Sequence, residues 1–141
     1  MFIWTGIPYG KVGRIAMIYL DTHAVIWLHA SRESSFPRRA RALLESEELL
    51  ISPAVYLEME YLFEAEKIRP HAEEIFNYLE KQISLRFSDI PFSQVVRKAA
   101  IMSWTRDPFD RLIVAEAFTA DAYLLSKDRE ILPHYPKALW K

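Results

Sequence analysis

The sequence predicts an α/β domain: a central parallel sheet of four to five short strands flanked by helices. Short apolar runs, Ile18-Tyr19-Leu20, Leu49-Leu50-Ile51 and Ala122-Tyr123-Leu124-Leu125, have the length of buried strands. Between them lie longer stretches with helical periodicity and helix-start signals. Strands that alternate with helices in this way pair in parallel and are covered on both faces. Acids lie just past the ends of the first and last of these runs, at Asp21 and Asp128, where ligands collect in such folds.

Met17 opens the first strand. Residues 1–16 are unlike the rest of the chain, holding all three glycines and showing no period, so they read as a loose leader or start-site extension ahead of a domain over 17–141. A helix is expected from about residue 22 to 30, capped by Asp21 or Thr22, and a second from Pro37 through Leu44. After the strand 49–51, Ser52-Pro53 joins a capping hydroxyl to a proline at the first helical position, and the helix runs to about Lys67. Pro70 opens a helix to about Gln82, 84–87 alternates as a strand does, and Pro91 opens a helix to about Met102. Asp107-Pro108 repeats the cap-then-proline signal for a helix to Ala120. The strand 122–125 comes next, and Leu139-Trp140 reads as a last short one.

At 141 residues, 51% of them apolar, the chain suits one domain with a sizeable core. It has no cysteine, which excludes a disulfide scaffold and a thiolate zinc site and fits a reducing, cytoplasmic setting. No apolar run approaches the roughly 18 residues of a membrane span, and residues 1–16 lack the basic-then-apolar order of a signal peptide. The net charge of −1 argues against nucleic-acid binding through bulk charge. The charge is uneven, however. Up to Leu44 there are six basic residues, including Arg38, Arg39 and Arg41, against two acidic; from Glu58 to Glu80 there are seven acidic against two basic. A basic patch beside an acidic pocket suits a phosphate polymer, although two solvated helix faces give the same counts.

Four acids stand where a carboxylate is awkward for folding: Asp21, Glu58, Asp110 and Asp128. At about 100° per residue, Glu58 falls among Val55, Met59, Leu62 and Ala65, whereas Glu60 and Glu64 point toward solvent. Asp110 heads the stripe Ile113, Val114 and Ala117. Each has a structural reading as well. Asp21 caps a helix, Glu58 snorkels outward, Asp110 complements a helix dipole at the third position after its cap Asp107, and Asp128 belongs to a turn. Carboxylates gathered against a core repel one another unless a cation joins them. With no cysteine, and no ligand spacing among the four histidines, that cation is a hard one bound through oxygen, magnesium or manganese.

The run from Ile18 to Trp27, with Asp21-Thr22-His23, resembles the opening of PIN-domain ribonucleases of the VapC toxin type. Ile51-Ser52-Pro53-Ala54 to Glu58 is similar to their second motif, Arg106-Asp107-Pro108-Phe109-Asp110-Arg111 to their third, and Leu125-Ser126-Lys127-Asp128 to their fourth. The likeness covers residues 17 to about 140. It implies a three-layer α/β sandwich and a metal-holding quartet at Asp21, Glu58, Asp110 and Asp128. It further implies one or two magnesium or manganese ions, cleavage of RNA, a homodimer, and a cognate antitoxin. Thr105 departs from the histidine that many relatives carry before the Arg-Asp-Pro run, and the leader has no family counterpart.

Around the quartet, Ser126 is expected to orient Asp128 or a water, or simply to serve the turn. Arg111 reaches a phosphate, lies along the protein or pairs with an acid, and Arg38, Arg39 and Arg41 are candidates to track an RNA backbone. His23 reads as a satisfied, partly buried histidine. Tyr61, Leu62 and Phe63 cannot all be buried, which makes the 53–66 helix a dimer contact or antitoxin groove. Two other readings share the acids: a DNA or structure-specific nuclease, and a non-catalytic acidic pocket used for binding or signalling. A receiver-like module needs an acidic pair at the first strand's end, where this chain has Asp21-Thr22-His23.

Overall fold

Five strands, β1 (Met17–Leu20), β2 (Glu48–Ile51), β3 (Arg86–Phe87), β4 (Tyr123–Leu125) and β5 (Ala138–Leu139), form one sheet in the order β3-β2-β1-β4-β5. The structure is a computed structural model that describes residues 16–141. All four pairings are parallel. Ile18 sits between Leu49 and Tyr123, and Leu20 lies opposite Leu125. Ile18, Tyr19 and Leu20 are all buried although neighbouring side chains point to opposite faces. Both faces of the sheet are therefore covered, and the fold is the three-layer α/β sandwich expected.

The helices are α1 (Thr22–His29), α2 (Arg38–Ser46), α3 (Pro53–Glu64), α4 (Ala72–Ile83), α5 (Phe92–Ala99), α6 (Pro108–Thr119) and a short α7 (Ile131–His134) that the sequence did not announce. The expected caps form. Asp21 accepts from Thr22 N, Ser52 from Ala54 N, and Asp107 from the amides of Phe109 and Asp110. Because β1 and β4 are parallel neighbours, Asp21 and the segment after Leu125 leave the sheet on the same side. α3 packs on α6, and α5 on α6. Among the described residues no helix is long and apolar enough to cross a membrane.

Several boundaries differ from expectation. The expected leader over 1–16 lies outside the described residues except for Ala16, whose carbonyl accepts from Glu48 N. α4 begins at Ala72 and not at Pro70, because the Glu60 carboxylate accepts from Ala72 N at 3.0 Å and faces His71 Nδ1 at 2.9 Å. Glu60 is thus a capping group rather than a free surface charge. α5 ends at Ala99, with turn bonds continuing to Met102, and β5 lies one residue earlier than read.

α3 stops at Glu64 and not at Lys67. Glu66 N donates to Phe63 O and Lys67 N to Leu62 O, while Glu66 takes the left-handed conformation at φ 61°. This is a Schellman closure, which usually places glycine at that residue. α1 and α6 end the same way through Ser31 (φ 58°) and Asp121 (φ 54°). The chain has no glycine after residue 13, so side-chain-bearing residues occupy these joints. A left-handed non-glycine residue costs about 1–2 kcal/mol, against about 0.5–1 kcal/mol for glycine's extra freedom in the unfolded chain. Glu66→Gly is therefore expected to stabilise the fold by about 0.5–1 kcal/mol, read as a higher urea midpoint with an unchanged slope. A lower midpoint would contradict this account of the helix end.

Candidate metal centre

Asp21 leaves the central strand and is tied from three directions. Its N–H donates to Leu125 O at 3.0 Å, and its carboxylate accepts from Thr22 N and from Ser126 Oγ, each at 2.7 Å. It is only 5% exposed. Asp128 follows β4, and its N–H donates to the same Ser126 Oγ at 3.1 Å. One hydroxyl thus links the two strand-end acids. The Ser126 hydroxyl, expected to orient Asp128 or a water or to serve the turn, donates to Asp21 and accepts from the Asp128 backbone. Asp128 also serves its turn, since Oδ1 accepts from Glu130 N and Ile131 N.

Glu58 comes from α3. Its Oε1 accepts from Thr22 Oγ1 at 2.5 Å, so the residue that opens α1 also holds Glu58. The sequence reading missed that role, because nothing local pairs residues 36 apart. Asp110 lies in the first turn of α6, half-buried, and its carboxylate makes no hydrogen bond among the described residues.

Burial pushes the pKa values of Asp21 and Glu58 above the ordinary carboxylate range. The charge of Asp128 adds to the shift at Asp21, and those of Asp21, Asp107 and Asp128 add to it at Glu58. His23 and the donors Ser126 and Thr22 oppose the shift at Asp21, and Thr22 opposes it at Glu58. Burial, followed by the charges of Asp107, Asp21, Asp128 and Glu58, pushes Asp110 up to about 8. Repulsion from neighbouring acids thus adds to burial in raising Asp21, Glu58 and Asp110. Among the described residues none of the four pairs with a lysine or arginine; only His23 Nδ1 approaches, 3.5 Å from Asp21 Oδ2. Burial lowers the His23 pKa, so it brings little positive charge at neutral pH.

Among the described residues no three His, Asp or Glu side chains converge into a ready-made ligand cage. The donors are nevertheless uniform: carboxyl oxygens, without a lysine or arginine partner among the described residues. That chemistry fits a hard divalent cation. Magnesium in particular is commonly held by one or two carboxylates and keeps several waters.

The basic candidates divide. Arg111 Nε donates to Thr105 O at 2.8 Å, so its stem lies along the protein. Thr105 is buried and its hydroxyl accepts from Asp107 N, which makes the residue at the family's departure point a latch for the loop before α6. Arg38, Arg39 and Arg41 are exposed on α2. His23 Nε2 accepts from Lys127 N, and its ring packs edge-on against Trp27 and Trp140, as a satisfied histidine should. Lys127 Nζ and the Arg32 guanidinium both sit over the Trp27 ring, at 4.1 and 4.6 Å, which the sequence did not foretell.

A family model for the PIN domain matches residues 18–137. The chain belongs to the PIN domain family. One relative, Ribonuclease VapC22 of Mycobacterium tuberculosis, is 26% identical over 129 residues, covering 87% of this chain and 98% of that protein. Among solved structures, VapBC2 from Rickettsia felis bound to a DNA fragment of its promoter aligns with TM-score 0.59 at 17% identity, covering 89% of this chain and 99% of the other. A toxin-antitoxin complex from Klebsiella pneumoniae aligns with TM-score 0.58 at 17% identity, over 86% and 95% of the two chains. The structural matches establish the PIN fold. The four acids of this PIN domain lie inside the matched span.

Asp110 stays protonated in the folded chain up to about pH 8, whereas an unfolded aspartate ionises near 3.8. Between these values the unfolded state binds fewer protons, so this group makes stability fall as pH rises. With EDTA present, Asp110→Asn is expected to raise the melting temperature at pH 8.5 and to have little effect at pH 4. Equal shifts at both pH values would rule out a carboxyl held protonated by its surroundings.

Proposed function

We propose that this chain is a metal-dependent endoribonuclease of the VapC toxin type, working in the cytoplasm on RNA and neutralised by a cognate antitoxin. The reading rests on one observation above all: four mutually repelling acids from four elements of a PIN domain, unpaired with lysine or arginine among the described residues. The likeness to a VapC ribonuclease, and to chains from VapBC and toxin-antitoxin complexes, supports it.

In this reading Asp21 and Asp128 hold one magnesium or manganese ion, with Glu58 and Asp110 completing the site directly or through water. A bound ion of this kind lowers the pKa of a coordinated water and offsets charge on the phosphate. Ser126 fixes the Asp21 carboxylate and the Asp128 backbone together. Thr22 fixes Glu58. The two hydroxyls thereby restrict how far the acids can swing, which is the supporting shell that ligating carboxylates need. Arg38, Arg39 and Arg41 serve as the phosphate-tracking surface, and Arg111 contributes whichever guanidinium nitrogens its bond to Thr105 leaves available.

The chain is further proposed to form a homodimer through the exposed side of α3, where Leu57 is 49% and Tyr61 54% exposed beside Phe92 of α5 at 69%. Leu62 and Phe63 are half-buried, so the apolar face is narrower than the sequence suggested.

Asp21→Asn is expected to reduce cleavage of a single-stranded RNA at least roughly 10²–10³-fold, with the fold intact by circular dichroism. EDTA should abolish wild-type cleavage and magnesium restore it. Undiminished cutting by the variant, or by the wild type in EDTA, sinks the reading. Leu57→Asp with Tyr61→Asp should turn a dimer into a monomer by light scattering.

A further inference from the structure

One buried acid takes no part in the rim. Glu116, on α6, is 3% exposed. Burial raises its pKa, and the hydroxyls of Ser88 and Ser52 oppose that rise. Ser88 is shared with Tyr19, whose hydroxyl lies 2.6 Å away. Even with these neighbours, Glu116 Oε2 has no hydrogen-bond partner among the described residues. A buried acceptor left without a donor is costly, and native structures rarely keep one without a reason.

A cavity of about 240 Å³ borders Glu116. It lies between α3 and α6 and is closed by the start of α5, with Leu57, Ile90, Phe92, Val95, Phe109 and Leu112 on its walls. Apart from Ser52 and Glu116, every lining residue is apolar. A water placed here would find few of the roughly three partners that buried waters normally have. An engineered apolar cavity of roughly 150 Å³ already accepts benzene. The present volume therefore suits one ring with a short chain.

We propose that this cavity is a binding site for a small primary amine with an aromatic or branched apolar body, whose ammonium group donates to Glu116 Oε2. The walls take the body by burial of apolar surface. The ammonium supplies both what the oxygen lacks, a donor, and what a buried carboxylate needs, a compensating charge. An alcohol of the same shape supplies only the donor. The mouth is bordered by Leu57 and Phe92, so self-association on this face would enclose the ligand without changing its acceptor. None of this depends on the nuclease reading, because Glu116 belongs to a different surface of α6 from Asp110.

The test is a titration of the full chain with 2-phenylethylamine, followed through the methyl resonances of Leu57, Val95 and Leu112. Saturable binding with a dissociation constant of about 1 mM or below is expected, in line with what a ligand of this size can reach. 2-Phenylethanol should bind at least about tenfold more weakly, as should the amine to Glu116→Gln, because each lacks one half of the charge pair. Leu57→Trp, a change at an exposed position that fills the mouth, should abolish binding and remains informative if Glu116→Gln fails to fold. The proposal is overturned by unmoved methyl resonances at about 10 mM amine, by equal affinity for amine and alcohol, or by binding that survives either substitution unchanged.

Discussion

Asp21 is the point on which the arrangement turns. A buried carboxylate at the end of a central strand is unfavourable unless its oxygens are occupied. Here the cap of α1 takes one oxygen and Ser126 the other, while the backbone amide closes onto Leu125. Three elements, β1, α1 and β4, are thereby fastened through one side chain. The same Ser126 hydroxyl that makes its burial tolerable also accepts from the backbone of Asp128. The local need for capping and the acidity of the rim are two results of one placement.

That double use explains why the structural and chemical readings of each acid do not compete. Asp128 supplies one oxygen to the turn before α7, and Ser126 fixes its backbone. Asp107 caps α6 and in doing so adds its charge to the environment of Asp110. The basic side chains nearby have been diverted. Arg111 is laid against the Thr105 carbonyl, and Arg32 and Lys127 sit over Trp27. Three of the basic side chains are thus engaged by the Thr105 carbonyl or the Trp27 ring instead of by the acids.

The alternating strands and helices were legible because their periods are local and each helix start carried its own cap. The acids stood out in the sequence because Asp21 and Asp128 lie just past apolar strand runs while Glu58 and Asp110 sit on apolar helix arcs. What could not be read was whatever joins distant positions. Ser126 reaches Asp21 across 105 residues, Thr22 reaches Glu58 across 36, and Glu60 caps a helix that begins 12 residues later. Glu116 gave no sign because it lies within the run Ile113-Val114-Ala115-Glu116-Ala117, where one acid looks like the wet edge of a buried helix. The helix ends were misjudged for a different reason. Without glycine to mark it, the closure of α3 at Glu66 is decided by backbone geometry that this residue type does not advertise.

The two outermost strands, β3 and β5, are only two residues long. Arg86 in β3 is also engaged by Glu48 of the neighbouring strand. Exposed sheet edges invite pairing with other chains, and short, charged edges resist it. The brevity of these borders therefore leaves little template for amyloid-like stacking of one folded copy on another.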